Sequence, residues 1–186
     1  GGCHTIKKKT IFDMARPDVE TFRRADKMPV ALVVDNVRSL NNIGSLLRTS
    51  DGFAVAEVWL CGISAVEPGP EVHKTALGAE DSVDWRHCAG TLEALDALRR
   101  RGFTICCLEQ VVDSIELQDY AVDTSARYAV VVGNEVDGVD PAVVDACDVC
   151  LEIPQLGTKH SLNVAVSAAV ALWHFYERFL PVLRKK

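Results

Sequence analysis

Six short apolar runs recur along the chain and alternate with stretches of helical periodicity. The runs cover residues 30–35, 57–62, 83–88, 103–109, 128–133 and 149–154. Most of them are rich in Val, Ile and Cys and alternate little with polar residues, which is typical of strands covered on both faces. Because helical crossovers cover both faces of a parallel sheet, the chain is expected to build a mostly parallel sheet of six strands.

The stretches between the runs carry helix signals. Five helices are predicted, over residues 16–27, 41–54, 91–101, 140–146 and 161–179. Pro17 and Pro141 stand where proline favours a helix start, Gly102 stands where glycine ends one, and Pro181 is expected to end the last helix. Strands and helices that alternate in this way define an α/β fold with right-handed crossovers and with helices on both faces of the sheet.

The overall composition restricts the class of protein further. Of the 186 residues, 48% are hydrophobic and 25% are charged, which is ordinary for one globular domain and excludes a disordered chain. No run approaches the ~20 consecutive apolar residues that a membrane span requires. The first ten residues carry lysines but no apolar segment typical of a secretory signal. We therefore expect a cytoplasmic protein that does not cross a membrane.

The charge distribution leaves nucleic-acid binding open. A net charge of −6 argues against a nucleic-acid footprint over the whole surface, but it does not exclude a local basic patch. One group of cations lies in the first 27 residues and consists of Lys7, Lys8, Lys9, Arg16, Arg23, Arg24 and Lys27. A second group is Arg99, Arg100 and Arg101. Each group is either part of a binding surface or a solvated helix face.

The cysteines indicate reduced thiols rather than a disulfide framework. Their number, seven, is odd, and several of them lie inside apolar runs, whereas small secreted domains pair an even number of cysteines in loops. Cys147 and Cys150 form one CxxC pair, but no second pair stands at the spacing that a zinc site would need. No metal site is predicted, and the role of Cys147 and Cys150 is left open.

Unusual polar residues are concentrated in three loops that follow predicted strands. These loops cover residues 36–44, 133–138 and 154–163. In open α/β sheets the ligand binds beyond the carboxyl ends of the strands, so the three loops are expected to converge on one edge of the sheet. Neither a phosphate-binding P-loop nor a dinucleotide-binding glycine fingerprint is present, which argues against an NTPase or a Rossmann dehydrogenase.

Each loop residue has a structural alternative. Arg48 could bind a phosphate or a carboxylate, or it could pair with Glu135 to stabilise the fold. Ser161 and Asn163 could each serve only as a cap of the last helix. His160 could be a general base or simply an exposed loop residue.

Taken together, the loops resemble the SpoU (TrmH-like) family of RNA ribose 2′-O-methyltransferases, in the SPOUT class. The first family motif is similar to residues 40–50 (LNNIGSLLRTS), and the second is similar to residues 131–139 (VVGNEVDGV). The third is similar to residues 153–157 (IPQLG) followed by 161–169 (SLNVAVSAA). The similarity extends from about residue 30 to residue 173, and the three motifs occur in order, each after a predicted strand.

The resemblance implies a fold and a ligand that the residues alone do not. Members of this family tie the C-terminal part of the α/β sheet into a deep trefoil knot, work as homodimers and bind S-adenosylmethionine in the knot. By similarity, the methyl donor is expected to contact Leu108, Gly133, Ile153 and Leu162, largely through their backbone, with Ser161 close by.

The resemblance also implies a catalytic set. Arg48 is the leading candidate and is expected to act, together with an RNA phosphate, on the ribose 2′-hydroxyl. Because an arginine stays protonated, a positioning and electrostatic role suits it better than base catalysis. Asn42, Glu135 and Asn163 are expected to hold Arg48 and the ribose, and Ser161 is expected to order its loop or to contact RNA.

These observations predict an RNA 2′-O-ribose methyltransferase that depends on S-adenosylmethionine. Residues 1–29 are expected to form an N-terminal helical extension, and residues 30–186 are expected to form the catalytic domain. Because so few residues precede the first strand, tRNA is preferred to rRNA as the substrate. The alternatives are the same reaction on rRNA, a non-catalytic module that binds RNA or the methyl donor, and an unrelated α/β protein with a small ligand.

Overall fold

The computed structural model describes residues 5–64 and 69–185, and its centre is a parallel sheet of seven strands in the order β3-β2-β1-β6-β4-β7-β5. All of the strand pairs are parallel. The strands are β1 Met28–Asp35, β2 Val55–Cys61, β3 Trp85–Cys88, β4 Phe103–Leu108, β5 Ile115–Glu116, β6 Arg127–Val132 and β7 Val149–Glu152.

The described residues also form eight α-helices, of which the last follows β7, and one 3-10 turn, Leu117–Asp119, which follows β5. The helices are α1 Ile11–Met14, α2 Val19–Arg24, α3 Leu40–Gly52, α4 Pro70–Ala76, α5 Ala79–Ser82, α6 Thr91–Arg100, α7 Pro141–Asp145 and α8 Val164–Arg184. Within the two described segments, no helix combines the length and apolar character needed to cross a membrane.

The sheet is covered on both faces, as its uninterrupted apolar runs predict. Along β1, Val30, Leu32 and Val34 belong to one core, whereas Ala31 and Val33 belong to the other, and all five are fully buried. The first core lies against α3, α4, α5 and α8, and the second lies against α6 and α7. Side chains of a strand point alternately to its two faces, so both residue sets must be apolar, which explains the absence of polar alternation.

The strand predictions are confirmed with one addition. Each of the six predicted strands is present, and its ends lie within two residues of the predicted ones. The expected count of six was wrong, because β5, Ile115–Glu116, adds a seventh strand at the edge beside β7. Both residues of β5 are exposed. A two-residue strand with no buried side chain leaves no apolar run in the sequence.

Two helix predictions need correction. The helix expected over 16–27 is confined to α2, where Asp18 is the N-cap and its carboxylate accepts a bond of 2.8 Å from the Thr21 amide. The last helix begins after Asn163 rather than at Ser161, and it continues through Pro181 to Arg184. A proline removes only one backbone hydrogen bond of a helix. Phe179, before Pro181, and Leu183, after it, both pack against the core, so the helix continues through the proline.

The cysteine prediction agrees with the structure. The described cysteines are all free, and Cys61, Cys106 and Cys107 are buried in the cores. Burial raises the pKa of Cys61 and of Cys106 to about 12, so these thiols stay protonated and unreactive. Cys3 lies outside the described residues, together with the rest of residues 1–4 of the expected N-terminal extension. The division at residue 29 and the trefoil knot both stay predictions.

Candidate active site

The predicted loops meet at one edge of the sheet because the strands that carry them are neighbours. β6 lies between β1 and β4, and β7 lies on the other side of β4. All of these strands are parallel, so their carboxyl ends open at the same edge. The segments after β1, β4, β6 and β7 therefore surround one region, where ligands of open α/β sheets bind.

A cleft of ≈ 490 Å³ opens at this edge. Its lining includes four of the five residues expected to contact the methyl donor, namely Leu108, Gly133, Ser161 and Leu162. The fifth, Ile153, lines a smaller adjoining pocket that shares Leu108, Ser161 and Leu162 with the cleft. The structure thus brings together all five residues.

Gly133 is required by the shape of the loop that forms one wall of the cleft. The backbone amides and carbonyls of Asn134 and Gly138 bond to each other at 2.8 and 2.9 Å, which folds the loop back on the end of β6. A Cβ atom at position 133 would lie 2.2 Å from both the Gly138 carbonyl carbon and the Val139 nitrogen. Only glycine allows this close approach of backbone to backbone.

The same loop is fixed by Asn134. Its Oδ1 accepts bonds from the amides of Val136 and Asp137 at 2.8 and 3.2 Å. Its Nδ2 donates to the carbonyl of Asn36 at 2.7 Å. Asn134 therefore shapes the turn and also ties it to the loop that follows β1.

Two carboxylates at the strand ends were missed by the sequence reasoning. Glu109 lines the cleft, and its Oε2 accepts a bond of 3.0 Å from the Val139 amide. Asp35, the buried last residue of β1, accepts from the Thr91 hydroxyl at 2.6 Å and from the Asp140 amide at 2.9 Å. Both follow apolar strand residues directly, and this position was the available signal.

Glu135 anchors a polar cluster at the rim of the cleft. Its carboxylate accepts bonds from the backbone amides of Ser39 at 2.9 Å and Arg38 at 3.3 Å, and from Nδ2 of Asn42 at 3.4 Å. Partial burial raises the pKa of Glu135, but these bonds outweigh burial and leave the pKa below its usual value. Glu135 is therefore ionised at neutral pH and acts as a hydrogen-bond acceptor rather than as a proton acceptor.

Asn163 joins the cluster from the third loop. Its Nδ2 donates to Oδ1 of Asn42 at 3.2 Å, and its Oδ1 caps α8 by accepting from the amides of Ala165 and Val166. Asn42, Glu135 and Asn163, three of the five predicted catalytic residues, are thus linked by hydrogen bonds. Capping by Asn163, rather than by Ser161, resolves one alternative that the sequence left open.

Arg48 lies elsewhere in the single chain. It is exposed on the last turns of α3 and lines a separate groove between α2 and the α3–α5 layer. Within the described residues its guanidinium makes no hydrogen bond or ion pair, so the structural pair with Glu135 that the spacing allowed is absent. Six residues of helix separate Arg48 from Asn42, a rise of about 9 Å.

Ser161 and His160 are exposed beside the cleft. The Ser161 hydroxyl has no hydrogen-bond partner among the described residues and is available to a ligand. The His160 carbonyl accepts a bond of 3.1 Å from Nε2 of Gln110, which ties the third loop to the segment after β4. The His160 ring makes no such contact within the described chain.

The fold and the site define a doubly wound α/β protein with an open ligand cleft at the carboxyl edge of a parallel sheet. The model of the SpoU rRNA methylase family matches residues 29–173. The chain belongs to this family, as its three loop motifs predict.

Relatives of both RNA classes are similar to the chain. It is 33% identical over 147 residues to a 23S rRNA (guanosine-2′-O-)-methyltransferase, RlmB, of Nitrosomonas europaea. The aligned residues make up 79% of this chain and 55% of the relative. The solved structure of the A. aeolicus TrmH/SpoU tRNA modifying enzyme matches with a TM-score of 0.76 and 23% identity, over 88% of this chain and 83% of that one.

A third match is a complex with a ligand. The SpoU methyltransferase AviRb from Streptomyces viridochromogenes, solved with the cofactor AdoMet, has a TM-score of 0.75 and 21% identity over 88% of this chain and 65% of that one. The chain spans between about half and two thirds of the length of the first curated relatives that it matches.

Proposed function

We propose that the chain carries the catalytic domain of an RNA 2′-O-ribose methyltransferase that uses S-adenosylmethionine and modifies tRNA. The observation that carries the proposal is the linked cluster of Asn42, Glu135 and Asn163 at the rim of the cleft. The cluster joins all three loop motifs of the SpoU family at a single place. A chain that had kept only the fold would not need this cluster.

The cleft suits S-adenosylmethionine in size and charge. Its volume of ≈ 490 Å³ lies within the range of about 300–1,000 Å³ that is typical of small-molecule sites. Its walls offer strand-end backbone and the apolar side chains of Leu108 and Leu162, and its lining includes the carboxylates of Glu109, Glu135 and Asp137. A cationic ligand is favoured by this excess of negative charge.

The methyl donor, when bound there, supplies an electrophilic methyl group on a positively charged sulfur. The protein's task is then to hold a ribose 2′-hydroxyl close to that methyl group and to exclude water. Asn42 and Asn163 present amide groups at the rim, and the ionised Glu135 fixes both loops through Ser39 and Asn42. The Ser161 hydroxyl, at the lining of the cleft, is placed to hydrogen-bond the ribose or an adjacent RNA group.

Arg48 reaches this site, we propose, from a second copy of the chain. Its guanidinium carries no partner within the described residues and lies in a groove apart from the cleft. In a homodimer, Arg48 of one copy faces the cleft of the other and stabilises the charge that develops on the 2′-oxygen. The 2′-hydroxyl proton passes to RNA phosphate or water, because a guanidinium holds its own protons at neutral pH.

An exposed apolar face of α8 supports such a dimer. Val166, Val170 and Trp173 are 51, 41 and 47% exposed and stand four and three residues apart, so they share one face of the helix. Trp173 contacts Tyr176, with ring centroids 5.9 Å apart, and Tyr176 lines the groove that holds Arg48. The apolar face therefore leads directly to Arg48, as a shared site requires.

The second candidate is the same reaction on rRNA. The relative that is 33% identical carries the name of a 23S rRNA methyltransferase, which favours this candidate. The proposal of tRNA is supported by the match to the A. aeolicus TrmH/SpoU tRNA modifying enzyme, which extends over 83% of that chain.

The deciding experiment is transfer of labelled methyl from S-adenosylmethionine to unmodified bulk tRNA and, separately, to rRNA, followed by digestion to nucleosides. We expect label in a 2′-O-methylnucleoside of the tRNA pool. Label in the rRNA pool alone would favour the second candidate. Absence of label in both pools, with intact binding of the methyl donor by calorimetry, would indicate a non-catalytic module and overturn the proposal.

A further inference from the structure

The groove that contains Arg48 also contains an arginine from the segment before β1. The groove has a volume of ≈ 720 Å³ and lies between α2 and the layer formed by α3, α4 and α5. Arg16 and Arg48 both line it. Arg16 lies outside residues 29–173, which the family model matches, so nothing in the family motifs assigns it a role.

The two carboxylates of the groove already have partners in the protein, whereas the two arginines have none among residues 5–64 and 69–185. Asp18 caps α2 by accepting from the Thr21 amide at 2.8 Å, and Asp51 accepts from the Ser82 hydroxyl at 2.5 Å. Across the described residues, neither Arg16 nor Arg48 makes a side-chain hydrogen bond or an ion pair. The groove thus offers ten guanidinium N–H donors and suits an anion.

Three other cations of the same segment make contacts within the protein. Nη1 of Arg23 donates to the Asp81 carbonyl at 2.7 Å, which fastens α2 to α5. Nζ of Lys27 donates to backbone carbonyls at the end of α2, including that of Ala25 at 2.8 Å. Arg24 lies 3.9 Å from Glu20 on the surface of α2. These contacts set the position of the segment and leave Arg16 free at the edge of the groove.

Apolar groups line the groove beside the arginines, which indicates a ligand larger than a free anion. Val19 is 45% exposed and Leu77 is 59% exposed, and both line the groove. Leu77 is also held at a φ of +53°, a conformation that is rare for a branched residue. A nucleotide combines an anionic phosphate with apolar sugar and base faces, and RNA presents such nucleotides in series.

We infer that Arg16 and Arg48 together bind a phosphodiester group of the RNA substrate, and that Arg16 contributes to substrate affinity. Arginine pairs with phosphate through parallel N–H bonds. Two guanidiniums that line one groove can hold the same phosphate and so position the ribose next to it. This inference rests on the proposed function for the nature of the anion, and it adds a residue and a site that the family motifs do not contain.

The test compares Arg16→Gln with Arg100→Gln. Arg100 is exposed on α6, which covers the opposite face of the sheet, and it has no side-chain partner among the described residues. The probe is a fluorescein-labelled, unmodified tRNA transcript, and binding is measured by anisotropy at several salt concentrations. For Arg16→Gln we expect affinity to fall about fivefold and the slope of log K against log salt to decrease by about 0.7–0.9, the loss of one phosphate contact.

Further variants and readouts separate binding from folding. Arg16→Lys keeps the charge but not the paired N–H geometry, so we expect it to restore the salt slope and only part of the affinity. Binding of S-adenosylhomocysteine and the thermal midpoint should be unchanged in both Arg16 variants. Arg100→Gln should match the wild type in every measurement.

Failure of this inference is distinguishable from failure of the proposed function. An Arg16→Gln protein with the salt slope of the wild type, or with the same change as Arg100→Gln, would overturn the inference even if methyl transfer is observed. Wild-type protein that binds neither the tRNA transcript nor a 23S rRNA transcript would overturn it as well. A reduced slope in a protein that transfers no methyl group would support the phosphate site and refute only the reaction.

Discussion

Nδ2 of Asn163 donates a hydrogen bond to Oδ1 of Asn42 across 3.2 Å, although 121 residues separate them. The same Asn163 caps α8 through its Oδ1, and the same Asn42 bonds Glu135 through its Nδ2. Each of the two asparagines uses both ends of its amide. The start of α8, the start of α3 and the loop after β6 are therefore held in one relative position, which sets the rim of the cleft.

Asn163→Asp should separate the two uses of this side chain. Aspartate caps a helix about as well as asparagine does, so we expect a free energy of unfolding within about 0.5 kcal/mol of the wild type. Its carboxylate, however, faces Oδ1 of Asn42 and the nearby charge of Glu135, so the rim opens and methyl transfer falls about 10- to 100-fold.

Asn163→Ala is the matched variant, because it removes both the cap of α8 and the bond to Asn42. Besides the loss of methyl transfer, we expect it to lower the free energy of unfolding by about 1 kcal/mol. Urea unfolding and initial rates of methyl transfer would measure the two effects. An Asn163→Asp protein with wild-type rates would show that the link to Asn42 has no part in the reaction.

Gly133→Ala should abolish binding in the cleft. The added Cβ would lie 2.2 Å from the backbone of Gly138 and Val139, so the loop after β6 must move away from the strand end. Gly157→Ala is the same change in the neighbouring loop, where an added Cβ meets nothing within 4 Å. Calorimetry with S-adenosylhomocysteine should detect no binding to the first variant and normal binding to the second, and equal affinities would exclude this wall of the cleft as the donor site.

Stability at low pH should depend on Glu57, which is buried on β2. Its carboxylate binds Arg101 through two bonds of 2.7 and 2.8 Å and also accepts from the Trp59 ring. Burial raises the pKa of Glu57, but the bonds from Arg101 and Trp59 outweigh it and leave the pKa below its usual value. The stability that ionised Glu57 contributes is therefore present above the unfolded pKa of about 4.3, and it is lost as the pH falls through the pKa of Glu57 in the folded state.

Glu57→Gln should accordingly lower the free energy of unfolding by about 1–3 kcal/mol at pH 7. The difference from the wild type should shrink as the pH is lowered below about 4, where Glu57 becomes protonated in both states. Asp84→Asn, which removes an exposed ion pair with Arg86, is the control and should cost less than about 1 kcal/mol. Urea unfolding at pH 7 and at a pH below about 4 would measure the difference in free energy of unfolding between Glu57→Gln and the wild type. A difference that does not change with pH would contradict the prediction.

The elements that the sequence predicted are those that the core requires. A strand such as β1 is buried on both faces, so nearly every residue must be apolar, and the pattern is visible without a structure. β5 has no buried residue and forms only because β7 offers a free edge. Its formation depends on a neighbour more than 30 residues away, which no local pattern records.

The residues of the candidate site also divide into those that the sequence singled out and those that it missed. Gly133 and Glu135 were singled out because they match a family motif that follows a buried strand. Asp35 ends a buried strand, yet it was missed, because its partners Thr91 and Asp140 come together only in the folded sheet. The place of Arg48 could not be predicted either, since it depends on how α2 and α4 pack around the end of α3.

Val170→Glu should convert the proposed dimer into a monomer. Val170 is 41% exposed in the middle of the apolar face of α8, and a carboxylate there would have to be desolvated in an interface. Leu92→Glu is the control, because Leu92 is 45% exposed on α6, over the other face of the sheet. Sedimentation velocity should give a dimer for the wild type and for Leu92→Glu and a monomer for Val170→Glu, and a wild-type monomer at micromolar concentration would refute the shared site.

A mixture of two impaired variants tests directly whether Arg48 acts in the partner's cleft. Arg48→Ala and Asn163→Asp should each show strongly reduced methyl transfer alone, because every site of each homodimer lacks one component. In a mixed dimer, the intact Arg48 of the Asn163→Asp chain meets the intact rim of the Arg48→Ala chain, so one of the two sites is complete.

Random exchange of subunits makes half of the dimers mixed, so activity should return to about a quarter of the wild-type value. If Arg48 instead served the cleft of its own chain, every site in the mixed dimer would lack one component, and the activity of the mixture would not rise above that of the separate variants. Methyl transfer measured before and after the subunits exchange therefore distinguishes the two arrangements, with each variant alone as the baseline.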